Sequence, residues 1–340
     1  MTKCASDAAF TSEIGACCGR RGDATATSIC IENASKLPEA SSIRSNSEEP
    51  VVTTRFATVA LAGRPNVGKS TLLNHIVGDK LAITSSKPQS TRQVVTGIRT
   101  EGPTQLVFAD LPGLFDPTNL MQSSMVEAAE AGLADADLVL FLEPAMERAG
   151  EYPAQVDQLM ESVGDRLALV LTKADLLTGP ERPLVHPPSF LVSALTGEGV
   201  PELLEWCCSR APLGSFRYDP EDLSIQDLRF FAAELVREAA FELLEQELPY
   251  AMAAMVDEFR ETARPVYIRV TLYVERNSQK GMLIGRNGRM IRALGQRART
   301  KIETLLGEQV YLELWVKVLR KWRTRPSALG MLGLPVSPPE

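Results

Sequence analysis

The chain has 340 residues, of which 44% are hydrophobic, and a formal net charge of −7 at pH 7. This length and composition predict about two domains with substantial cores, and no apolar run approaches the roughly 18 residues of a transmembrane helix. The first residues lack the basic start and apolar stretch of a secretory signal. Six cysteines without a C-x-x-C pair, and two histidines far apart, argue against a zinc site or a disulfide framework and fit a reducing cytoplasm.

The charge is unevenly distributed. Residues 264–325 contain fifteen Lys and Arg against four Glu, a balance of +11 that leaves −18 for the rest of the chain. A basic module on an acidic protein indicates a polyanionic partner for that module. The alternative is a solvated charged face.

Residues 1–54 are predicted to be a disordered N-terminal extension, because they are rich in Ser, Ala and Thr and lack a helical or strand period. Five basic and seven acidic residues argue against an organelle transit peptide, which would be poor in acids.

Between residues 55 and 211, predicted strands and helices alternate, which is typical of a mostly parallel sheet with helices on both faces. The predicted strands are 57–62, 105–109, 138–142, 167–171 and 190–192. The predicted helices are 69–77, 155–163 and 200–210. This α/β domain is the larger of the two predicted domains.

A segment rich in proline, glycine and acids is the predicted linker, residues 212–224. A smaller α+β domain follows at 225–325, with a C-terminal tail at 326–340. Its predicted elements are a long helix at 225–247, strands at 250–259 and 266–274, a glycine turn with a basic helix, and a strand at 310–318.

The segment from Gly63 to Ser70 fits the P-loop pattern G-x-x-x-x-G-K-[ST] between a predicted strand and a predicted helix. Its backbone N–H groups would face phosphate, Lys69 would reach the β- and γ-phosphates, and the Ser70 hydroxyl would bind Mg²⁺. The alternative is a glycine-rich turn. The predicted nucleotide-binding residues of this loop are Gly63, Asn66, Val67, Gly68, Lys69, Ser70 and Thr71.

Three later segments follow predicted strands and favour GTP over ATP, since α/β sheets bind ligands at the carboxyl ends of their strands. In the first, Asp110 would hold Mg²⁺ through water and the Gly113 amide would face the γ-phosphate. In the second, the carboxylate of Asp175 can accept both hydrogen-bond donors of guanine. In the third, residues 193–197, a backbone N–H could meet the guanine oxygen. The predicted contacts in the last two are Thr172, Lys173, Asp175, Ser193, Ala194 and Leu195.

A G-x-x-G sequence precedes a basic amphipathic helix in the C-terminal domain, which is the signature of an RNA-binding KH domain. The two glycines allow a tight turn that clamps a sugar-phosphate backbone. The predicted RNA contacts are Lys280, Ile284, Gly285, Arg286, Asn287, Gly288 and Arg289. For Tyr311 and Trp315 we expect packing in the sheet rather than base stacking.

From residue 55 to residue 334 the sequence resembles the Era family of bacterial GTPases. The resemblance is strongest at residues 63–74, 87–92, 248–250 and 310–318. It implies that Thr91 is a switch threonine at Mg²⁺ and the γ-phosphate, so that Lys69, Thr91 and Gly113 serve catalysis and Ser70, Thr91 and Asp110 serve the metal. It also implies that Asn66 helps to hold a potassium ion, with a structural loop role as the alternative.

The family's base-recognition motif begins with Asn, and Thr172 stands at that position here. This departure puts the affinity for the nucleotide in doubt more than the specificity for guanine. Leu111 replaces a Thr and touches neither metal nor phosphate in the family picture. Leu114 stands where Ras-like proteins carry a water-orienting Gln. The family shares this apolar residue, so slow intrinsic turnover is expected.

The resemblance implies a GTPase that binds small-subunit ribosomal RNA near its 3′ end and assists maturation of the small ribosomal subunit. The implied cofactors are GTP or GDP, Mg²⁺ and potassium. A cytoplasmic monomer, with peripheral association with the inner membrane, is the further expectation. Two alternatives stay open: a tRNA-modification partner GTPase, and an RNA-binding protein with a degenerate nucleotide domain.

Overall fold

The computed structural model describes residues 53–334 and 336, except for Ser86, Pro88, 148–160 and 178–187. The predicted extension, apart from its last two residues, lies outside the described residues. Within the described part, no helix is both long enough and apolar enough to cross a membrane.

The N-terminal domain is built on a six-stranded sheet of order β2-β3-β1-β4-β5-β6. All neighbouring strands pair in parallel except β2 and β3, which are antiparallel. The strands are β1 Arg55–Ala62, β2 Val95–Glu101, β3 Thr104–Asp110, β4 Leu138–Pro144, β5 Leu167–Thr172 and β6 Ser189–Leu191. The helices are α1 Lys69–Val77, α2 Leu120–Asp135 and α3 Val200–Arg210. The predicted mostly parallel sheet is confirmed.

Both faces of this sheet are covered, which explains its long apolar runs. Every residue of β4 and β5 is buried. Along β1, Val59 and Leu61 belong to one core cluster and Ala60 to the cluster on the opposite face, as the two-residue period of a strand requires.

The prediction missed two elements, β2 and α2, and it placed a helix at 155–163. Of that helix, residues 161–163 are described and helical, and the rest lies outside the described residues. The strand β2 is an edge strand with polar residues at its end. In α2, small Ala and Ser residues blur the helical period, and the signal that remains is the cap by Asn119, whose side chain accepts from Gln122 N at 3.2 Å.

The C-terminal domain has a three-stranded sheet of order β7-β8-β9, in which β7 runs antiparallel and β9 parallel to the central strand. Its strands are β7 Ala253–Arg260, β8 Val266–Val274 and β9 Val310–Val318. Its helices are α4 Leu228–Leu243, α5 Leu248–Ala251, α6 Asn277–Ile284, α7 Arg289–Leu306 and α8 Pro326–Met331. Helices α4 and α7 share a core with the inner face of the sheet.

Three predicted boundaries in this domain were wrong, one of them the end of the long helix, which ends at Leu243 instead of residue 247. The long helix begins later than residue 225, because the Asp227 side chain caps it by accepting from Phe230 N at 2.8 Å. The strand predicted from residue 250 begins at Ala253, because Pro249 lies in the first turn of the short helix α5.

The predicted linker and part of the predicted tail are packed against the N-terminal domain. Phe56 N donates to Pro212 O at 3.1 Å, and Ile98 N donates to Leu223 O at 2.8 Å, so the linker satisfies one donor near the start of β1 and one at the open edge of β2. In α8, the buried Leu329 packs in one cluster with Trp322 and with residues of α2. The C-terminal segment therefore joins the two domains.

Candidate nucleotide site and nucleic-acid interface

The P-loop, residues 63–70, connects β1 to α1 in a conformation that needs glycine. Gly63 has φ +139°, and a Cβ there would lie 2.4 Å from the carbonyl oxygen of Leu142. Gly68 has φ +107° and precedes the first turn of α1. The N-cap residue Gly68 has no side chain to cap α1, and the N–H groups of a helix N-terminus are a common anion-binding feature.

Lys69 is buried beneath the loop. Its Nζ donates to Gly63 O at 3.2 Å and to Arg64 O at 3.0 Å. Burial lowers the pKa of the Lys69 ammonium, and the charge of Asp110 opposes that shift. A desolvated ammonium held by two carbonyl dipoles interacts strongly with an incoming phosphate.

Ser70, Thr91 and Asp110 converge at the mouth of the loop. Ser70 Oγ donates to Asp110 Oδ2 at 2.6 Å and lies 3.1 Å from Thr91 Oγ1, which lies 3.3 Å from the same carboxylate oxygen. Burial raises the pKa of the Asp110 carboxyl above its usual value, and Lys69 and the two hydroxyl hydrogen bonds offset only part of that rise. No described residue donates to Asp110 Oδ1. Two hydroxyls and a buried carboxylate with an open oxygen fit the oxygen ligands of Mg²⁺.

A cleft of about 460 Å³ opens above these residues. Its predicted lining residues are Asn66, Gly68, Lys69, Ser70, Thr71 and Lys173. The prediction missed the lining residues Ile83, Thr84, Ser85 and Ser90. These lie just before or within the switch motif at 87–92, and that proximity was the signal that could have identified them.

The residues predicted to bind the base lie on two loops that follow β5 and β6. Ser193 Oγ donates to Asp175 Oδ1 at 2.6 Å, and Thr196 N donates to Ser193 Oγ at 3.2 Å. The buried Ser193 thereby orients an exposed carboxylate. Ala194 is half-buried and Leu195 is exposed on the same loop. The structure brings the predicted base-binding residues together, and their contacts with guanine stay a prediction.

Thr172 ties the base motif to the P-loop. Its hydroxyl lies 2.5 Å from Val67 O and 3.2 Å from Glu143 O. The Thr172 hydroxyl therefore connects β5 to the phosphate loop.

Glu143 is a further buried residue beside the P-loop that the sequence argument missed. It pairs with Arg64 at 2.8 Å. Its position at the carboxyl end of β4 was the available signal, since the other site residues also follow strands.

Gly113 is packed directly on the P-loop. A Cβ at this position would lie 2.7 Å from Pro65 Cγ and 2.8 Å from Pro65 N. The next residue, Leu114, donates its N–H to Gly63 O at 3.1 Å. Only glycine fits here, because any side chain would collide with Pro65 of the P-loop.

The G-x-x-G turn joins α6 to α7, as predicted. Gly285 and Gly288 have φ +71° and +72°, and the Asn287 carbonyl accepts from Arg292 Nη2 at 2.6 Å. Arg286, Asn287 and Arg289 are exposed. The remaining predicted contacts are half-buried around the turn: Lys280, Ile284, Gly285 and Gly288.

Beside the turn, a groove of about 540 Å³ runs between α7 and β9. Tyr311 lines it, stacks on Tyr267 with ring centroids 5.8 Å apart, and is 58% exposed. Trp315 is 51% exposed. The expected sheet packing accounts for one face of Tyr311, and both aromatic side chains also reach the surface.

Comparisons with known proteins cover both domains. Residues 58–173 match the family described as 50S ribosome-binding GTPase, and residues 247–323 match the KH domain family. GTPase Era of Leuconostoc citreum (strain KM20) is 40% identical over 287 residues, which span 81% of this chain and 95% of that protein.

Two solved structures agree with this result. The structure of an Aquifex aeolicus Era point variant bound to GDP·AlF₄⁻ has a TM-score of 0.77 and 32% identity, and the match covers 82% of this chain and 99% of that one. Era in complex with MgGDPNP and nucleotides 1506–1542 of 16S ribosomal RNA has a TM-score of 0.75 and 31% identity, with the same coverage. The chain therefore belongs to the Era family of GTPases.

Proposed function

We propose that this GTPase uses Mg²⁺-bound GTP to control its hold on small-subunit ribosomal RNA, near the 3′ end, during assembly of the small ribosomal subunit. The nucleotide chemistry is assigned to residues 55–211 and RNA binding to residues 225–325. The observation that carries the proposal is that one chain contains both the P-loop cleft and the G-x-x-G turn. An Era relative that was solved with 16S RNA and MgGDPNP supports it.

In the nucleotide site, the N-terminus of α1 and Lys69 bind the β- and γ-phosphates. Ser70, Thr91 and Asp110 are the residues that would hold Mg²⁺, which neutralises charge that develops on the phosphate oxygens. The Gly113 amide supports the γ-phosphate. Because Leu114 cannot orient water, hydrolysis relies on electrostatic stabilisation by these groups and is slow without a partner.

Two further features complete the nucleotide proposal. Asp175, oriented by Ser193, accepts the N1–H and the amine of guanine. Asn66 is the residue that would hold a potassium ion, as the family resemblance implies.

On the RNA side, the turn at Gly285–Gly288 clamps the sugar-phosphate backbone, and Lys280, Arg286 and Arg289 neutralise phosphates. The small subunit is favoured over the large one named in the description of the GTPase family, because the Era relative was solved with 16S RNA. The match to Era over both domains also disfavours a tRNA-modification partner GTPase.

The proposal includes a cytoplasmic monomer that associates peripherally with the inner membrane. Analytical ultracentrifugation tests whether the protein has the mass of a monomer in solution. Flotation of the protein with vesicles of bacterial lipid tests the membrane contact, and a protein that stays at the bottom of the gradient contradicts it.

The experiment that tests the proposal measures GTP turnover by the full chain alone, with small ribosomal subunits, and with large ones. Lys69→Ala serves as the inactive control. We expect small ribosomal subunits, but not large ones, to change the rate of GTP turnover. We also expect the protein to bind an RNA with the 3′-terminal sequence of the small-subunit RNA. A response to large subunits only contradicts the choice of subunit. The absence of turnover in every arm indicates a degenerate nucleotide domain.

A further inference from the structure

The switch segment next to the metal site is anchored on the C-terminal domain. Arg92 is 4% exposed, and its guanidinium donates to Met252 O at 2.7 Å, Tyr250 O at 3.0 Å and Pro249 O at 3.2 Å. These carbonyls belong to the short helix α5 and to Met252, which follows it, and we call residues 249–252 the junction segment. An arginine from the nucleotide domain is thus buried against the backbone of the RNA-binding domain.

Arg92 is buried beside other charged side chains. Burial, and then the positive charge of Arg237, lowers the pKa of the Arg92 guanidinium. The carboxylate of Glu234 pairs with Arg237 at 2.7 Å. Moving Arg92 away from the junction segment would leave buried carbonyls without their donor, which is costly.

A second anchor lies on the other side of Thr91. Arg237, a residue of α4, donates through Nη2 to the Ser90 carbonyl. Thr91 itself faces the opposite way, with its hydroxyl 3.1 Å from Ser70 Oγ. Across three consecutive residues, the outer two bind the C-terminal domain and the middle one reaches the metal site.

We propose that Arg92 is a positioning residue for GTP hydrolysis: by docking on the junction segment, it holds the Thr91 hydroxyl beside Ser70 and Asp110. The inference rests on the assignment of Thr91 to the metal site. Thr91 can shift little without breaking the bonds of Arg92, so the C-terminal domain completes the nucleotide site. Linkage then requires that docking of the junction segment and ordering of Thr91 strengthen each other.

The alternative is that Arg92 only joins the two domains. A purely structural bond would lower stability without altering the metal dependence of hydrolysis. Lys80 offers a matched control, because it also reaches the C-terminal domain, through Glu238 at 2.6 Å, and it lies in the turn after α1. Lys301 holds the same carboxylate at 2.7 Å, so Lys80→Met does not leave Glu238 unpaired.

The test compares Arg92→Gln, Arg92→Lys, Thr91→Ala and Lys80→Met in the full chain. Single-turnover GTP hydrolysis is measured against Mg²⁺ concentration, and each rate is normalised to the protein fraction that binds GDP. We expect Arg92→Gln to lower the rate by about tenfold and to raise the Mg²⁺ concentration for half-maximal rate, as Thr91→Ala does. Arg92→Lys should recover part of the loss, because an ammonium is still a donor but cannot fork to three carbonyls. Lys80→Met should keep the wild-type rate and Mg²⁺ dependence.

The outcomes separate the two claims. If Thr91→Ala hydrolyses GTP like the wild type, the assignment of the metal site fails. If Thr91→Ala is impaired while Arg92→Gln keeps the wild-type rate and Mg²⁺ dependence, the positioning role of Arg92 alone is overturned. If Arg92→Gln does not fold, Arg237→Gln, which removes the anchor on Ser90, must show the raised Mg²⁺ requirement, and wild-type behaviour of that variant overturns the proposal.

Discussion

Thr172 is the residue at which one hydroxyl connects two parts of the nucleotide site. The buried hydroxyl bridges β5 to the Val67 carbonyl, so the base motif and the P-loop move together. An Asn at this place would offer an amide with more hydrogen-bonding groups. The single Thr hydroxyl bonds the Val67 carbonyl of the phosphate loop.

We expect Thr172→Val to weaken binding of GDP by about tenfold, because the isosteric side chain leaves a buried carbonyl without its donor. Isothermal titration calorimetry measures the Kd. Thr300→Val is the matched control, since its hydroxyl also bonds a carbonyl, that of Gln296, on an exposed face of α7. Equal affinities for all three proteins would show that the bridge does not matter for binding.

Asp175 is the residue that we propose to determine the choice of base. Asp175→Asn should lower GTP affinity by about tenfold or more and shrink the preference for GTP over ATP, because an amide cannot accept both guanine donors. Competition binding with the two nucleotides measures the preference. The control is Asp219→Asn in the linker, where the Asp219 carboxylate accepts a hydrogen bond from Glu221 N. An unchanged preference in Asp175→Asn would refute the base assignment.

Asn66 has φ +65°, a left-handed conformation that Asn tolerates and Gly adopts freely. We expect faster GTP turnover in potassium than in sodium buffer, and we expect Asn66→Gly to abolish the difference while keeping the loop conformation. Steady-state phosphate release in the two salts is the measurement. Equal rates for the wild-type protein would return Asn66 to a structural role in the loop.

At the scale of elements, the sequence predicted those with a strong local pattern. The continuous apolar runs of β4 and β5 and the P-loop helix α1 were predicted close to their observed bounds, because burial on both faces and the glycine motif leave clear signals. The helix α2 and the strand β2 were missed. The helix α2 lacks a clear apolar stripe. In β2, Gly97 packs against Leu73 and Val77 of α1, a contact between residues that are distant in sequence.

The site residues that the sequence predicted were likewise those with a local pattern. Residues inside motifs, such as Lys69 and Asp110, were predicted because their chemistry has a fixed spacing along the chain. Thr84 lines the cleft only because the chain folds back over α1, and the anchoring of Arg92 needs a partner about 160 residues away in sequence, a tertiary pairing that no local pattern encodes.

The short helix α8 belongs to the folded structure because Leu329 is fully buried with Trp322 and Met125. Leu329→Ala should destabilise the protein by about 2–5 kcal/mol, the usual cost of a buried Leu→Ala change. Urea unfolding followed by tryptophan fluorescence measures the loss. Met331→Ala, on the same helix but at a residue that is 47% exposed, should change stability by less than about 0.5 kcal/mol. Equal effects would place α8 outside the core.

At the scale of the whole molecule, the basic charge is concentrated in the domain that carries the G-x-x-G turn. The nucleotide cleft lies in the acidic part of the chain. This separation allows RNA affinity to be weakened without touching the groups that bind the nucleotide, and RNA binding is expected to weaken steeply with salt.

Gly288→Asp should therefore weaken RNA binding and leave intrinsic GTP hydrolysis nearly intact. Gly288 has φ +72°, so a side chain there strains the turn, and the new carboxylate would face RNA phosphates. Wild-type affinity should fall with salt with a log–log slope of about 0.7 per phosphate contact on a single strand, and the variant should bind more weakly with a shallower slope. Fluorescence anisotropy with the small-subunit 3′-end RNA measures both.

Gly307→Asp is the matched control for that experiment, because Gly307 also has a left-handed backbone, φ +67°, and caps the far end of the same helix. It carries the same strain and the same added charge away from the turn, so its RNA affinity should stay closer to that of the wild type. If Gly288→Asp binds the RNA as tightly as Gly307→Asp does, the turn is not the clamp. The exposed basic residues that follow β9 would then be the next candidates for the RNA site: Arg320, Lys321 and Arg325.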